Sequence, residues 1–173
     1  MIPKYRWLAA VVLLFGSISS CSRPETQGGV LAKFGCDSRE GVIQQVGVTV
    51  DNRIKKEGEG SLRFAVGEPA VLRLFETGDI DIENAVLVYQ ANLRTEDVQG
   101  RVYLEMWCHF EGKGEFFSRG IDRTVSGTVK WTQLEIPFAL KSGENPDNVK
   151  LNLVCEGSGT VWVDDIRMVK RAG

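Results

Sequence analysis

Residues 101–110 read RVYLEMWCHF. Every second residue, Val102, Leu104, Met106, Cys108 and Phe110, is apolar. Between them stand Tyr103, Glu105, Trp107 and His109, two aromatics, a carboxylate and the chain's only histidine. Successive side chains of a strand point to opposite faces, so this stretch is a strand with one face on a core. The pattern recurs. Residues 85–94 place Leu87, Tyr89, Ala91 and Leu93 on one phase and Val88, Gln90, Asn92 and Arg94 on the other. Residues 149–155 set Val149, Leu151, Leu153 and Cys155 inward, and residues 131–138 do so with Leu134, Ile136 and Phe138.

Runs of this kind also occupy 28–36, 40–50, 60–66, 70–75 and 159–169. Segments rich in Gly, Asn, Asp and Pro separate them, such as TEDVQG at 95–100 and KSGENPDN at 141–148. Such residues serve tight turns. No segment sustains a helical period. Nine or ten short strands in one run of this length predict an all-β sandwich or barrel of antiparallel strands. The 173 residues, 43% of them hydrophobic, suffice for one domain with a packed core.

The first twenty residues stand outside that pattern. Lys4 and Arg6 precede an apolar run, LAAVVLLFGSIS, too short to span a bilayer comfortably. The run ends in Ile18, Ser19, Ser20 and Cys21, which resembles the bacterial lipobox. That resemblance implies cleavage before Cys21, lipidation of Cys21, and a palmitate-bearing, membrane-anchored protein. Ser22, where aspartate would favour inner-membrane retention, implies outer-membrane sorting in a Gram-negative source. The expected organisation is a signal peptide at 1–20, a lipidated cysteine and flexible tether at 21–29, and a β-sandwich at 30–171.

Loss of Lys4 and Arg6 lowers the 21 basic residues to 19, against 23 acidic ones. No basic stripe appears, so nucleic acid is not an expected partner. Electrostatic docking to an anionic membrane is not expected either, which leaves the lipid as the anchor.

Export changes how cysteines are read. Cys108 and Cys155 lie on the apolar phases of their strands. They are expected to pair as a disulfide if those strands adjoin, or else to remain as two buried thiols.

The order of features resembles carbohydrate-binding modules with the galactose-binding-like jelly-roll fold. EGEGSLRF at 57–64, a tryptophan opening the strand that ends in IPF at 136–138, GENPDNVKLNL at 143–153 and GTVWVDDIRMV at 159–169 carry that resemblance. It implies a jelly roll and a non-catalytic domain, and relatives of this fold often hold a structural calcium. Carried over, Asp164 supplies a carboxylate, the turn from Gly58 to Ser61 supplies carbonyls, and Asp37 or Glu40 stands as the first-strand acid. The sequence departs from the family there, with FGCDS at 34–38 where F-E is usual. The bland alternative is that these acids bond turns or strand ends.

Catalysis is not expected. One histidine, no G-x-S-x-G elbow and no phosphate-cradling loop leave little to build on. Glu105 and Glu111 are an unconvincing glycosidase pair. The outward set Tyr103, Glu105, Trp107 and His109 instead reads as a sugar platform. If residues 85–94 and 101–110 form a hairpin, Gln90, Asn92 and Arg94 extend the patch. The expected function is glycan binding by a monomeric envelope lipoprotein. The alternative is a structural or protein-interaction envelope domain with the same fold and no sugar site.

Overall fold

The computed structural model describes residues 29–78 and 80–173. Cys21, the signal segment and the tether lie outside the described residues. The described chain has nine strands: β1 (Val30–Phe34), β2 (Val48–Asp51), β3 (Ser61–Val66), β4 (Ala70–Gly78), β5 (Ala85–Phe110), β6 (Gly114–Arg119), β7 (Val125–Leu140), β8 (Asn148–Cys155) and β9 (Ser158–Arg171). All pairings are antiparallel. Together they make the expected jelly-roll β-sandwich.

β5 is the strand that makes one curled sheet into two layers. Its first half lies between β9 and β7, with Leu93 opposite Val163 and Thr132. Its second half lies between β8 and β6, with Glu105 opposite Asn152 and Arg119. The first layer therefore runs β2-β3-β9-β5-β7, with β1 beside the far half of β9. The second runs β4-β8-β5-β6.

Between the halves, residues 97–100 turn over the top of the sandwich. Asp97 adopts a φ of 54° and Gly100 one of 114°. A Cβ on Gly100 would sit 2.9 Å from the Glu156 carbonyl oxygen, so the crossing requires glycine. The crossing also switches phase. Leu87, Tyr89, Ala91 and Leu93 face the core before it; Val102, Leu104, Met106 and Cys108 face the core after it, and all eight are buried. Inserting one residue into a strand exchanges its faces, as a bulge does.

Both phases close on a single apolar cluster with Phe64, Leu72, Leu74, Ile136, Leu151, Leu153 and Val163. Truncating one of these wholly buried leucines costs about 2–5 kcal/mol.

The expected hairpin is not formed. Residues 85–94 and 101–110 belong to one continuous strand whose halves face each other across the core instead of pairing. The expected disulfide is not formed either. β5 and β8 do adjoin, but Cys155 lies opposite Val102 while Cys108 lies opposite Val149. Six residues of strand, roughly 20 Å, separate the two thiols, whereas a bridge needs Cα atoms within about 7 Å. Cys36, Cys108 and Cys155 are free and buried. Burial pushes each thiol up to about 12.

Two further differences concern strand ends. Of residues 40–50, only the last part is strand. Ile43 and Gln44 instead donate N–H bonds to the carbonyls of Leu74 and Arg73. β6 was not anticipated. Its alternation is hidden because Phe116 and Phe117 are both aromatic yet point to opposite sides.

Candidate functional site

The outer face of the second layer is built from rows that run across four strands. One row is Phe117, Trp107, Lys150 and Glu76, from β6, β5, β8 and β4. The next is Arg119, Glu105, Asn152 and Arg73. Glu115, His109 and Asn148 form the row toward the lower end.

Trp107 and Phe117 meet with ring centroids 5.0 Å apart at 43°. The Arg119 guanidinium lies 4.6 Å from the Phe117 ring centroid. Phe117 is 52% exposed, and Trp107 is partly buried beside it. Tilted aromatic pairs add about 0.5–1.5 kcal/mol beyond burial, so the two rings brace one another into a rigid platform.

Glu105 lies beneath this platform and is only 3% exposed. It accepts from Arg119 Nε at 2.5 Å and from Asn152 Nδ2 at 3.0 Å. Burial works to raise its pKa, but the polar groups of Trp107, Asn152 and Arg119 outweigh it and hold the carboxyl below its usual range. Its role is to fix Arg119 against the ring, not to touch a ligand. Tyr103 is likewise buried, and its hydroxyl donates to Glu156 at 3.2 Å. Glu156 also takes both Arg101 bonds, at 2.6 and 3.0 Å.

At the lower end, His109 Nδ1 lies 2.5 Å from Asp147 Oδ1. Lys150 pairs with Glu115, Asn148 donates to Glu76 at 2.6 Å, and Arg73 lies 3.9 Å from Glu76. Lys150 and Arg73, which point outward here, are thus each met by a carboxylate. The face presents aromatic rings, amide groups and neutralised ion pairs.

The structure brings together four of the seven residues expected to bind ligand. Tyr103, Glu105, Trp107 and His109 share this face. Gln90, Asn92 and Arg94 lie on the outer side of the first layer. There Gln90 donates to Glu135 at 2.9 Å and Asn92 to Asp165 at 3.2 Å. Arg94 and Arg63 each lie 5.6 Å from the Trp162 ring, whose indole N–H donates to Asp51 at 3.0 Å. These groups hold strands together. The absence of the hairpin removes them from the patch.

Phe117, Arg119, Lys150, Asn152 and Arg73 were missed as site residues. Lys150 and Asn152 were legible as the outward phase of β8. Phe117 and Arg119 were not, because β6 is too short to declare its phase.

The acids tied by resemblance to calcium sit at another corner, around a cleft of about 230 Å³. Asp164 Oδ2 accepts the N–H of Lys56 at 2.7 Å and of Glu57 at 3.0 Å. Its Oδ1 accepts the N–H of Asp165 at 2.7 Å. Asp37 Oδ1 accepts the N–H groups of Glu59 and Gly60 at 2.6 and 2.9 Å. Gly58, with a φ of 62°, approaches so closely that a Cβ would lie 2.5 Å from Asp37. Ser61 Oγ donates to the Ile54 carbonyl, and exposed Glu40, whose backbone N–H bonds Ser38 Oγ, lines an adjoining cleft with Asp37. Lys33 and Arg167 already neutralise Glu57 and Asp165, at 2.7 and 2.6 Å. Among the described residues no three acidic, histidine or cysteine groups converge as a metal shell. Both Asp164 oxygens and Asp37 Oδ1 are taken by backbone amides, and Glu57 and Asp165 are paired with cations, so a calcium ion would have to displace these contacts.

Comparison with known proteins follows the fold. No family model matches the sequence, and no curated protein does. Solved structures do match. The CBM22-1 xylan-binding domain of Paenibacillus barcinonensis Xyn10C is 14% identical, with a TM-score of 0.57 over 86% of this chain and 98% of that one. The CBM22-1 and GH10 modules of Clostridium thermocellum xylanase 10B, complexed with xylohexaose, are 10% identical with a TM-score of 0.60; the match covers 82% of this chain and 28% of that one. TmCBM61 in complex with β-1,4-galactotriose is 16% identical, with a TM-score of 0.50 over 85% of this chain and 97% of that one. The fold is that of β-sandwich carbohydrate-binding modules.

Proposed function

We propose that this chain is a non-catalytic glycan-binding module whose ligand lies across the outer face of the second layer. The observation that carries the reading is the Trp107–Phe117 pair with Arg119 held against it from below. A sugar ring offers an apolar C–H face and a rim of hydroxyls. The aromatic rings suit the first, and Arg119, Asn152, Lys150 and His109 suit the second. Because the charges on the face are paired, the reading favours a neutral polysaccharide. The similarity in fold to modules that bind xylan, xylohexaose and β-1,4-galactotriose supports the class of ligand.

The proposal places the module at the cell envelope, anchored through Cys21. The support for that part is the segment from Lys4 to Cys21 in the sequence.

Affinity electrophoresis of the chain in gels containing xylan, galactan or β-glucan tests the binding face. Trp107→Ala and Phe117→Ala are each expected to abolish retardation while costing less than about 2 kcal/mol of stability, since neither ring is fully buried. A stability loss of about 3–5 kcal/mol for Trp107→Ala, the range for a buried aromatic, would make the ring a packing element and sink the reading. Retardation that persists in both variants would do the same.

A further inference from the structure

The edge strand β6 points its two phenylalanines to opposite sides. Phe117 joins the platform. Phe116, opposite Cys108 and so on the inner phase, faces the place where the two layers part. It is 50% exposed. Its ring lies 5.9 Å from Phe110 at 67°, and Phe110 lies 6.2 Å from Phe138. The three rings floor a cleft of about 260 Å³ at the lower rim, separate from the outer face.

The mouth is framed by two turns. Lys113 stands in the β5–β6 turn, whose N–H bonds back to Phe110 at 3.0 Å. Lys141 opens the β7–β8 loop. That loop is closed by Glu144, which caps the Lys141 N–H with its carboxylate at 2.9 Å and donates its own N–H to the Lys141 carbonyl at 3.1 Å. Both lysines line the cleft. Among the described residues neither ammonium has a carboxylate partner within 4.0 Å, whereas Lys150 and Arg119 on the outer face do.

We infer that this rim cleft is a second binding site, for a single ring that carries a carboxylate. The ring's apolar face would rest on Phe116 and Phe138, and the carboxylate would be met by Lys113 and Lys141. The cleft falls below the ~300–1,000 Å³ usual for larger ligands, which limits it to about one ring. Two sources share this chemistry: a uronic acid residue of a glycan and an aromatic acid.

NMR titration of the chain with glucuronate, benzoate and neutral glucose, each at millimolar concentration, tests the site. One or both carboxylated rings should shift signals around Phe116, and glucose should not. Whichever of the two binds more tightly identifies the source. Replacing both lysines, Lys113→Gln with Lys141→Gln, should weaken binding tenfold or more. Added salt should weaken it too. Phe116→Ala should abolish binding, and Trp107→Ala should leave it unchanged. The lysines are exposed, so the double variant keeps the test valid if Phe116→Ala fails to fold. No shift with either carboxylate, equal shifts with glucose, or affinity indifferent to both lysines would overturn the inference. So would loss of binding in Trp107→Ala, which would assign the ligand to the outer face. Sedimentation showing a dimer that Phe116→Ala dissolves would also overturn it, because a second copy would then fill the cleft.

Discussion

Glu105 decides how the platform behaves as conditions change. It is almost fully buried, yet it carries its charge because Arg119 and Asn152 bond both oxygens. A carboxylate whose folded pKa lies below its unfolded one stabilises the fold above the unfolded value, and that stability is lost as pH falls through the folded value. Its carboxyl is held below the ordinary 4.5. Glu105→Gln is therefore expected to cost about 1–3 kcal/mol at neutral pH, the usual cost of a buried polar partner lost. The gap between variant and parent should shrink as pH falls below the ordinary 4.5 and through the lowered folded value. Urea unfolding at pH 7 and pH 3 measures both. A gap that stays constant across that range would show that the charge of Glu105 does not matter to the fold. At this scale the sequence was half legible. The alternation of residues 101–110 placed Tyr103, Glu105, Trp107 and His109 on one face. It did not reveal that two of the four lie under the surface, because depth depends on Arg119, which sits on another strand.

β5 shows where pattern reading succeeds and where it stops. Both of its halves are legible in the sequence, with the correct inward residues, and TEDVQG is legible as the short link between them. A short link can be either a hairpin turn or a crossing between layers. Only pairing partners tell them apart, and these are long-range facts that local sequence does not carry. The loop from residue 52 to 60 is a similar case. Resemblance pointed to its acids, but their role follows from geometry, since Asp164 and Asp37 bond five backbone N–H groups between them. Because protein carboxylates already satisfy these N–H groups, we propose that the loop folds without an ion. Its melting temperature is expected to be the same in calcium and in chelator. Asp164→Ala, which strands the amides of Lys56 and Glu57, should lower stability by about 2 kcal/mol or more. Calorimetry with and without chelator decides the matter, and a fall in melting temperature on chelation would restore calcium to this corner.

For the molecule as a whole, strand count and turn spacing carried the architecture, because each strand had to bury one face. The cysteine pairing failed for a reason that also operates at this scale. Adjacent strands were not enough, since register left Cys108 and Cys155 six residues apart along them. Among the described residues three thiols are buried, and burial pushes each pKa up to about 12, which keeps them protonated and slow to oxidise.

The proposed anchor at Cys21 has a consequence for how far the domain could stand from a membrane. β1 begins at Val30, nine residues beyond Cys21. Eight residues, 22–29, separate the two, and fully extended they span at most about 29 Å. A lipid on Cys21 would therefore keep the sandwich close to the membrane, while the acidic surface gives it no second hold. A single chain binds membranes only marginally, so stable attachment needs more than one acyl group, as the lipobox resemblance implies. Cys21→Ala is expected to leave the protein uncleaved or released into the soluble fraction, with its folded domain and its glycan retardation unchanged. Fractionation followed by mass measurement of the N-terminus checks it. If the variant still sediments with membranes and is still cut before residue 21, Cys21 is not the anchor and the segment is an ordinary secretory signal.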